Sequence, residues 1–184
     1  MKRKLYGILG AAALTVAVGS AAVGGPSSAQ EPPPPIGVEV LTPRSQFTDD
    51  VAIKVKIMLE GGRRASRTTI NMAAPSKTVV ARITVQPGAH FPWHTHAGPV
   101  IVNVTTGTLV YVHADECLER TYPAGTVFVD PGRGNVHTAF NPGAEAAVLY
   151  ATFFEAPASG PLTITDGVEA PDGCAVEVGD RAGH

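Results

Sequence analysis

Two histidines, His94 and His96, stand one residue apart at the start of a stretch rich in β-branched residues. In an extended strand, side chains two positions apart point to the same face, about 6.6 Å apart along the backbone. Two imidazoles at that spacing can bind one transition-metal ion, which takes nitrogen ligands at about 2.0–2.1 Å. The same parity carries Val100, Val102 and Val104, so this face is expected to be apolar. The pattern therefore predicts the beginning of a metal site that faces a protein core.

A metal site of this kind needs a third ligand, and His137 is the candidate. His137 follows the glycine-rich turn 130–135 (DPGRGN) and lies at the head of another short β-branched and aromatic run. Antiparallel pairing could bring it beside His94 and His96. Three neutral imidazoles would leave coordination positions for water, substrate or oxygen, which is typical of an open, catalytic type of site.

The elements that must position these histidines are short strands. Gly (20 residues) and Pro (16 residues) are plentiful, and they separate runs in which apolar and polar residues alternate. The predicted strands cover 51–60, 79–85, 88–107 with both histidines, 108–113, 126–129, 136–140 and 146–154, with 162–165 as a candidate last strand. No phosphate loop, nucleophile elbow or helical heptad is present. Short strands separated by turns predict one all-β domain, a sandwich or jelly roll.

Two patterns in this region resemble the two motifs of the cupin family. The first contains Gly88, His94, His96 and Gly107, with Val100 at the position where the family has glutamate. The second contains Gly125, Pro131, Gly134, His137 and Asn141, with one extra residue between the proline and the second glycine. The resemblance covers about 79–154, and its details look like small secreted bacterial cupins of the type-2 kind.

The resemblance implies a single-domain cupin jelly-roll β-barrel with its core at 79–156. It also implies a divalent transition-metal ion at the mouth of the barrel, held by His94, His96 and His137. Because Val100 cannot bind metal, the usual set of three histidines and one glutamate is reduced to three histidines, as in the related thiol dioxygenases. The identity of the metal is left open.

Further residues are candidates to line a pocket beside the metal. They are Trp93, Val100, Tyr111, His113 and Asn141. Tyr111 could offer its phenol to a bound ligand, and packing in the core is the alternative. For Trp93 the alternative to a pocket role is packing at the rim of the barrel. Asn141 is expected to tie a turn through its amide. No catalytic residue can be named.

The N-terminus has the pattern of an export signal. Lys2, Arg3 and Lys4 precede an apolar stretch at 5–18, and small residues at 27–29 precede a cleavage site before Gln30. An uncleaved anchor helix is the alternative. We expect residues 1–29 to be a signal peptide, 30–35 (QEPPPP) a proline-rich linker, 36–78 an N-terminal strand extension and 157–184 a tail. The mature protein is then secreted or extracytoplasmic, without stable membrane insertion.

The chain contains two cysteines, Cys117 and Cys174. An oxidising compartment favours a disulfide between them, which would tie the tail back to the barrel, and two separate thiols are the alternative. The formal net charge is −2 and the chain has no basic stripe. A nucleic-acid partner is therefore not expected.

Two main classes of function follow from these features, and a purely structural or oligomerisation role is the remaining alternative. The first is a metal-dependent enzyme, dioxygenase-like, that acts on a small molecule through the three-histidine site. The second is a non-catalytic extracytoplasmic module that binds metal or a small ligand, which the missing glutamate and the valine-rich interior favour. Because paired edge strands make dimers common in the resembling family, a homodimer is expected in both cases.

Overall fold

The computed structural model describes residues 32–59, 66–174 and 176. The strands of the described residues all lie in the compact unit that begins at Pro33. The predicted signal peptide, residues 1–29, lies outside the described residues. The strands are β1 (Ile36–Val40), β2 (Ser45–Gln46), β3 (Ile53–Leu59), β4 (Ser66–Met72), β5 (Lys77–Val85), β6 (Val100–Thr106), β7 (Thr108–His113), β8 (Glu119–Pro123), β9 (Val127–Asp130), β10 (His137–Phe140) and β11 (Ala147–Ala156).

The strands form two main antiparallel sheets and one hairpin. The larger sheet has the order β1-β5-β11-β6-β9, with β2 also pairing with β5, and the second sheet has the order β10-β7-β8. One apolar core unites both sheets, because Val79 and Ala81 of β5 belong to the same cluster as Leu109 of β7 and Ala139 of β10. The described residues contain no helix. The predicted all-β fold is confirmed, with its sheets packed around one core.

Alternation of side chains explains why these segments form strands. Along β5 every second residue from Val79 to Val85 is buried and the residues between them are partly exposed. Because side chains alternate between the two faces of a strand, such a sequence buries one face and leaves the other towards solvent. The hairpin β3–β4 follows the same rule, and its Ile57, Ile70 and Met72 form a separate small core.

The strand predicted over 88–107 is shorter than expected. β6 begins at Val100, so His94 and His96 lie in the segment before it, which pairs through single bridges at His94 and Thr95. Pro92 and Pro99 flank this segment, and proline has no backbone N–H to continue a ladder. The candidate strand at 162–165 is likewise reduced to one bridge, between Thr95 and Ile164.

β8 lies between the predicted strands 108–113 and 126–129 and is not among them. Its sequence, ERTYP, has no apolar alternation, and only Arg120 and Tyr122 are partly buried. The strand forms because one edge of β7 is available for backbone pairing. Tyr111 of β7 is the register partner of Arg120 of β8. Backbone pairing to an existing strand decides this element rather than side-chain pattern.

The disulfide between Cys117 and Cys174 is present in the structure. Cys117 lies in the turn between β7 and β8, and Cys174 lies in the C-terminal tail, with the two Cα atoms 5.5 Å apart. Cys174 also packs with Val110, Val112 and Phe140 on the outer side of β7 and β10. The tail is therefore tied to the barrel covalently and by apolar contact.

Candidate metal site

Backbone pairing brings the three predicted histidines together. His94 and His137 form an antiparallel bridge in which each N–H donates to the other's carbonyl oxygen at 2.9 Å. The carbonyl oxygen of His96 accepts a hydrogen bond from the N–H of Arg133 at 2.8 Å, which fixes it against the same loop. One ring nitrogen from each histidine lies within 4.8 Å of the others. Chain segments that are about forty residues apart in the sequence thus meet at one point.

The protonation of these rings follows from their Nδ1 contacts. Each Nδ1 lies against a backbone carbonyl oxygen: His94 with Pro92 (2.7 Å), His96 with Leu162 (2.8 Å) and His137 with Asn135 (3.2 Å). A carbonyl oxygen can only accept, so in each pair Nδ1 carries the proton and donates. In the neutral ring, Nε2 then has a free lone pair. Holding the other ring nitrogen in this way is typical of histidines that bind metal ions.

Burial favours the neutral form of two of the rings, His94 and His96. The exposed fraction is 4% for His94, 7% for His96 and 3% for His137. Burial, with additional repulsion from His137 and His96, lowers the pKa of His94 to about 3. Burial also lowers the pKa of His96, although the carboxylate of Asp130 acts in the opposite direction. Neutral imidazole is the form that binds metal ions.

A buried carboxylate, Asp130, lies beside the histidines and was missed in the sequence analysis. Its exposed fraction is 2%, and its Oδ2 lies 2.9 Å from His137 Nε2 and 3.4 Å from His96 Nε2. Oδ1 accepts a hydrogen bond from the N–H of Gly132 at 2.7 Å. Burial raises the pKa of Asp130, but His137, His96 and this N–H outweigh that effect and the net shift is downward. One signal was visible: Asp130 is the acidic residue inside the second histidine motif.

The site opens on a small cavity of about 60 Å³. Its walls are mostly apolar, and they include two of the predicted pocket residues, Val100 and Tyr111, with Asp130 and the three histidines. The Tyr111 ring stacks on His137 with ring centroids 5.1 Å apart, and its hydroxyl is buried without a hydrogen-bond partner among the described residues. The cavity can therefore take several water molecules or a group of a few heavy atoms.

Three of the predicted pocket residues do not line this cavity. Trp93 packs on the cluster that covers the outer side of β7 and β10. His113 ends β7, and its Nδ1 lies 4.0 Å from the exposed Asp115. Asn141 is fully buried and ties a turn, as expected, because its Nδ2 donates to the carbonyl oxygens of Val85 (2.9 Å) and Glu145 (2.7 Å). The structure thus gives each of these side chains a contact within the protein, away from this cavity.

The donor set fits a divalent metal ion. One ring nitrogen from each histidine lies within 4.8 Å of the others, and Asp130 Oδ2 lies 2.9 Å and 3.4 Å from two of the rings. In the neutral rings the carbonyl contacts leave each Nε2 without a proton, and Asp130 Oδ2 then accepts no hydrogen bond from the described residues. Lone pairs that face each other in a buried site repel, and a cation between them removes the repulsion. Imidazole nitrogen suits zinc, copper, iron and nickel.

Comparison with known proteins gives one family match. The Cupin_2 family, described as a cupin domain, matches residues 81–153. No curated protein matches the chain. Solved structures that resemble it include a polyketide cyclase from Streptomyces resistomycificus, which is 20% identical with a TM-score of 0.42, over 50% of this chain and 62% of the cyclase.

Two further structures are similar. A cupin-like protein from Thermotoga maritima is 26% identical with a TM-score of 0.39, over 46% of this chain and 61% of that protein. A cupin-2 domain protein from Shewanella frigidimarina is 24% identical with a TM-score of 0.36, over 42% and 71% of the two chains. The chain thus spans less than two thirds of the cyclase and of the Thermotoga protein. Together with the two-sheet topology, the family match shows that residues 81–153 form a domain of the cupin family.

Proposed function

We propose that this domain binds one divalent transition-metal ion through the Nε2 atoms of His94, His96 and His137. The observation that supports the proposal is that each Nδ1 lies against a backbone carbonyl, which leaves Nε2 free in the neutral rings, and that one nitrogen of each buried ring lies within 4.8 Å of the others. A bound ion of this kind supplies Lewis acidity and, with a redox-active metal, electron transfer.

The surrounding residues of the chain determine what can reach that point. Apolar side chains such as Val100, Leu149 and Phe153 line the cavity and restrict water. Tyr111 offers a hydroxyl that stays protonated, because burial, with Asp130 and Tyr122 adding to it, raises its pKa well above the ordinary value of 10.0. The chain therefore provides one hydrogen-bond donor to a small ligand beside the histidines.

Two roles fit such a site, and we propose to test both. A metal-dependent enzyme of the dioxygenase type would use the cavity for a few atoms of a small substrate, and the unpaired Tyr111 hydroxyl favours this role. A non-catalytic binding module would hold metal or a small ligand without turnover. The volume of about 60 Å³ is well below the roughly 300–1,000 Å³ of pockets that enclose a drug-sized ligand. Either role therefore involves only a small group at the metal.

We also propose that the protein works outside the cytoplasm, with residues 1–29 as a signal peptide. The Cys117–Cys174 disulfide supports this location, because such bonds persist mainly in oxidising compartments. No helix in the described part of the chain has the length and apolar character needed to cross a membrane. The homodimer expected from the family resemblance stays a prediction.

Metal analysis of histidine variants tests the proposed site. We expect about one equivalent of metal per purified chain, by mass spectrometry after reconstitution, and loss of most of it in His94→Ala and in His137→Ala. His90→Ala is the matched control, since His90 is an exposed histidine four residues before His94. The proposal fails if the wild type takes up no metal, or if the two site variants keep as much as the control.

Oxygen consumption separates the two roles. The metal-loaded protein is incubated with a panel of small thiols, diketones and catechols, and oxygen uptake is recorded. Turnover that requires the metal and disappears in His94→Ala supports the enzyme, whereas tight metal binding without turnover of any compound supports the binding module.

A further inference from the structure

Asp130 lies beside Val100 on the neighbouring strand of the same sheet. Val100 begins β6 and Asp130 ends β9, and these two residues are direct partners in the antiparallel register. Side chains of such partners point to the same face with Cβ atoms about 4.5–5.5 Å apart. Both side chains line the cavity that holds the three histidines. The carboxylate that is absent at position 100 is thus matched by a carboxylate on the neighbouring strand.

Two imidazole nitrogens lie close to Asp130 Oδ2: His137 Nε2 at 2.9 Å and His96 Nε2 at 3.4 Å. When both rings carry their proton on Nδ1, against the backbone carbonyls, neither Nε2 donates to this oxygen. Two ligand atoms at about 2.1 Å from one ion are separated by about 3.0 Å at a right angle and about 3.4 Å at the tetrahedral angle. The separations of Asp130 Oδ2 from His137 Nε2 and from His96 Nε2 fit donors that share one ion.

Charge points in the same direction. Asp130 is nearly fully buried, and its partner on Oδ1 is the uncharged N–H of Gly132. Burial alone disfavours an anion in such a place, and a cation offsets that effect, while a divalent ion held only by neutral imidazoles keeps its full charge. A carboxylate in contact with the ion reduces both the cost of burying the anion and the cost of burying the divalent charge.

Resting on the proposed function, we propose that Asp130 Oδ2 is the fourth protein ligand of the metal, and that it takes over the coordination position of the motif glutamate that Val100 replaces. The carboxylate ligand then comes from β9 instead of β6, and both positions lie on the side of the sheet that faces the cavity. The site then has three histidines and one carboxylate and a net charge of one positive unit with a divalent ion.

The test is the zinc affinity of Asp130→Asn, measured by competition with a chromophoric chelator. Asparagine keeps the shape and the acceptor for Gly132, and it removes the charge. We expect the affinity to fall at least about 10–100-fold, the range seen even for residues that act behind the ligands. Asp115→Asn is the matched control, because Asp115 has a side chain that is 84% exposed, and it should bind zinc as the wild type does.

A second variant tests the shared position. Val100→Glu, added to Asp130→Asn, is expected to recover most of the lost affinity, and a folded double variant without recovery would show that the two positions are not equivalent. If Asp130→Asn does not fold, crystals of the zinc-loaded wild type decide: an Oδ2–zinc distance of about 2.0–2.2 Å supports the proposal and a distance beyond about 3 Å overturns it.

The outcomes separate the two proposals. A wild type that binds no zinc contradicts the proposed function itself. A wild type that binds zinc and depends on His94 and His137, while Asp130→Asn keeps its affinity within about twofold, contradicts only the role of Asp130.

Discussion

At the scale of single residues, main-chain carbonyls set the chemistry of the site. The carbonyls of Pro92 and Asn135 each lie two residues before the histidine that they bind, so local backbone geometry supplies them. The carbonyl of Leu162, which binds His96, comes from the tail, 66 residues away. Two of the three tautomers are thus fixed by short-range structure, and the third depends on the tertiary fold.

The buried hydroxyl of Tyr111 gives a prediction at this scale. We expect Tyr111→Phe to leave the free energy of unfolding of the metal-free protein unchanged or to raise it by up to about 1 kcal/mol. The reason is that a buried hydroxyl without a partner costs roughly 1–3 kcal/mol, and phenylalanine removes it while keeping the ring. Urea unfolding of both proteins in the presence of a chelator measures the difference.

Tyr122→Phe serves as the comparison for that measurement. Tyr122 is only half buried and stacks on Phe128, so the loss of its hydroxyl should change stability by less than about 0.5 kcal/mol. A drop of more than 1 kcal/mol in Tyr111→Phe would show that the hydroxyl has a partner, such as an ordered water molecule.

At the scale of elements, the site depends on the close approach of two backbones. The loop after β9 lies against the segment that leads into β6, and the N–H of Arg133 bonds to the carbonyl oxygen of His96. A Cβ atom on Gly132 would lie 1.9 Å from the carbonyl oxygen of Gly98. Only a residue without a side chain allows this approach, which sets the distance between Asp130 and His96.

Gly132→Ala is therefore expected to destabilise the protein strongly, by at least about 3 kcal/mol, because backbone has to move and the φ of +58° is also unfavourable for alanine. Gly134→Ala is the control, since its φ is +87° and a Cβ atom there would meet nothing within 4 Å. That variant should lose only about 1–2 kcal/mol through backbone strain. Thermal unfolding followed by circular dichroism compares the two, and equal losses would refute the role of the close approach.

At the scale of the whole molecule, the C-terminal tail is part of the site. Ile164 forms two backbone hydrogen bonds with Thr95, of 3.0 and 2.9 Å, and the carbonyl of Leu162 orients His96. Thr163 lines the cavity. The disulfide at Cys174 and its apolar cluster hold the end of the same tail.

Replacing both Cys117 and Cys174 by serine is expected to lower the free energy of unfolding by about 2–4 kcal/mol, because the crosslink closes a loop with a sequence separation of 57. Zinc affinity should fall as well, since the tail that orients His96 is less firmly held. Urea unfolding and chelator competition measure the two effects. Addition of reductant should reproduce both in the wild type and change neither in the variant; an unchanged wild type under full reduction would contradict this role of the bond.

The sequence by itself determined the all-β class, most strand positions and the three candidate ligands. These features are local: alternation with a period of two defines strands such as β3 and β5, and the spacing of His94, His96 and His137 matches two short motifs. Tertiary structure alone decided which side chains share the cavity. Asp130 lines the cavity because it is the register partner of Val100, and the tail contributes the carbonyl that contacts His96. Trp93 packs instead on the outer side of β7 and β10. The physical reason is that pairing register and long-range packing place side chains relative to distant segments, and local periodicity contains no information about those distances.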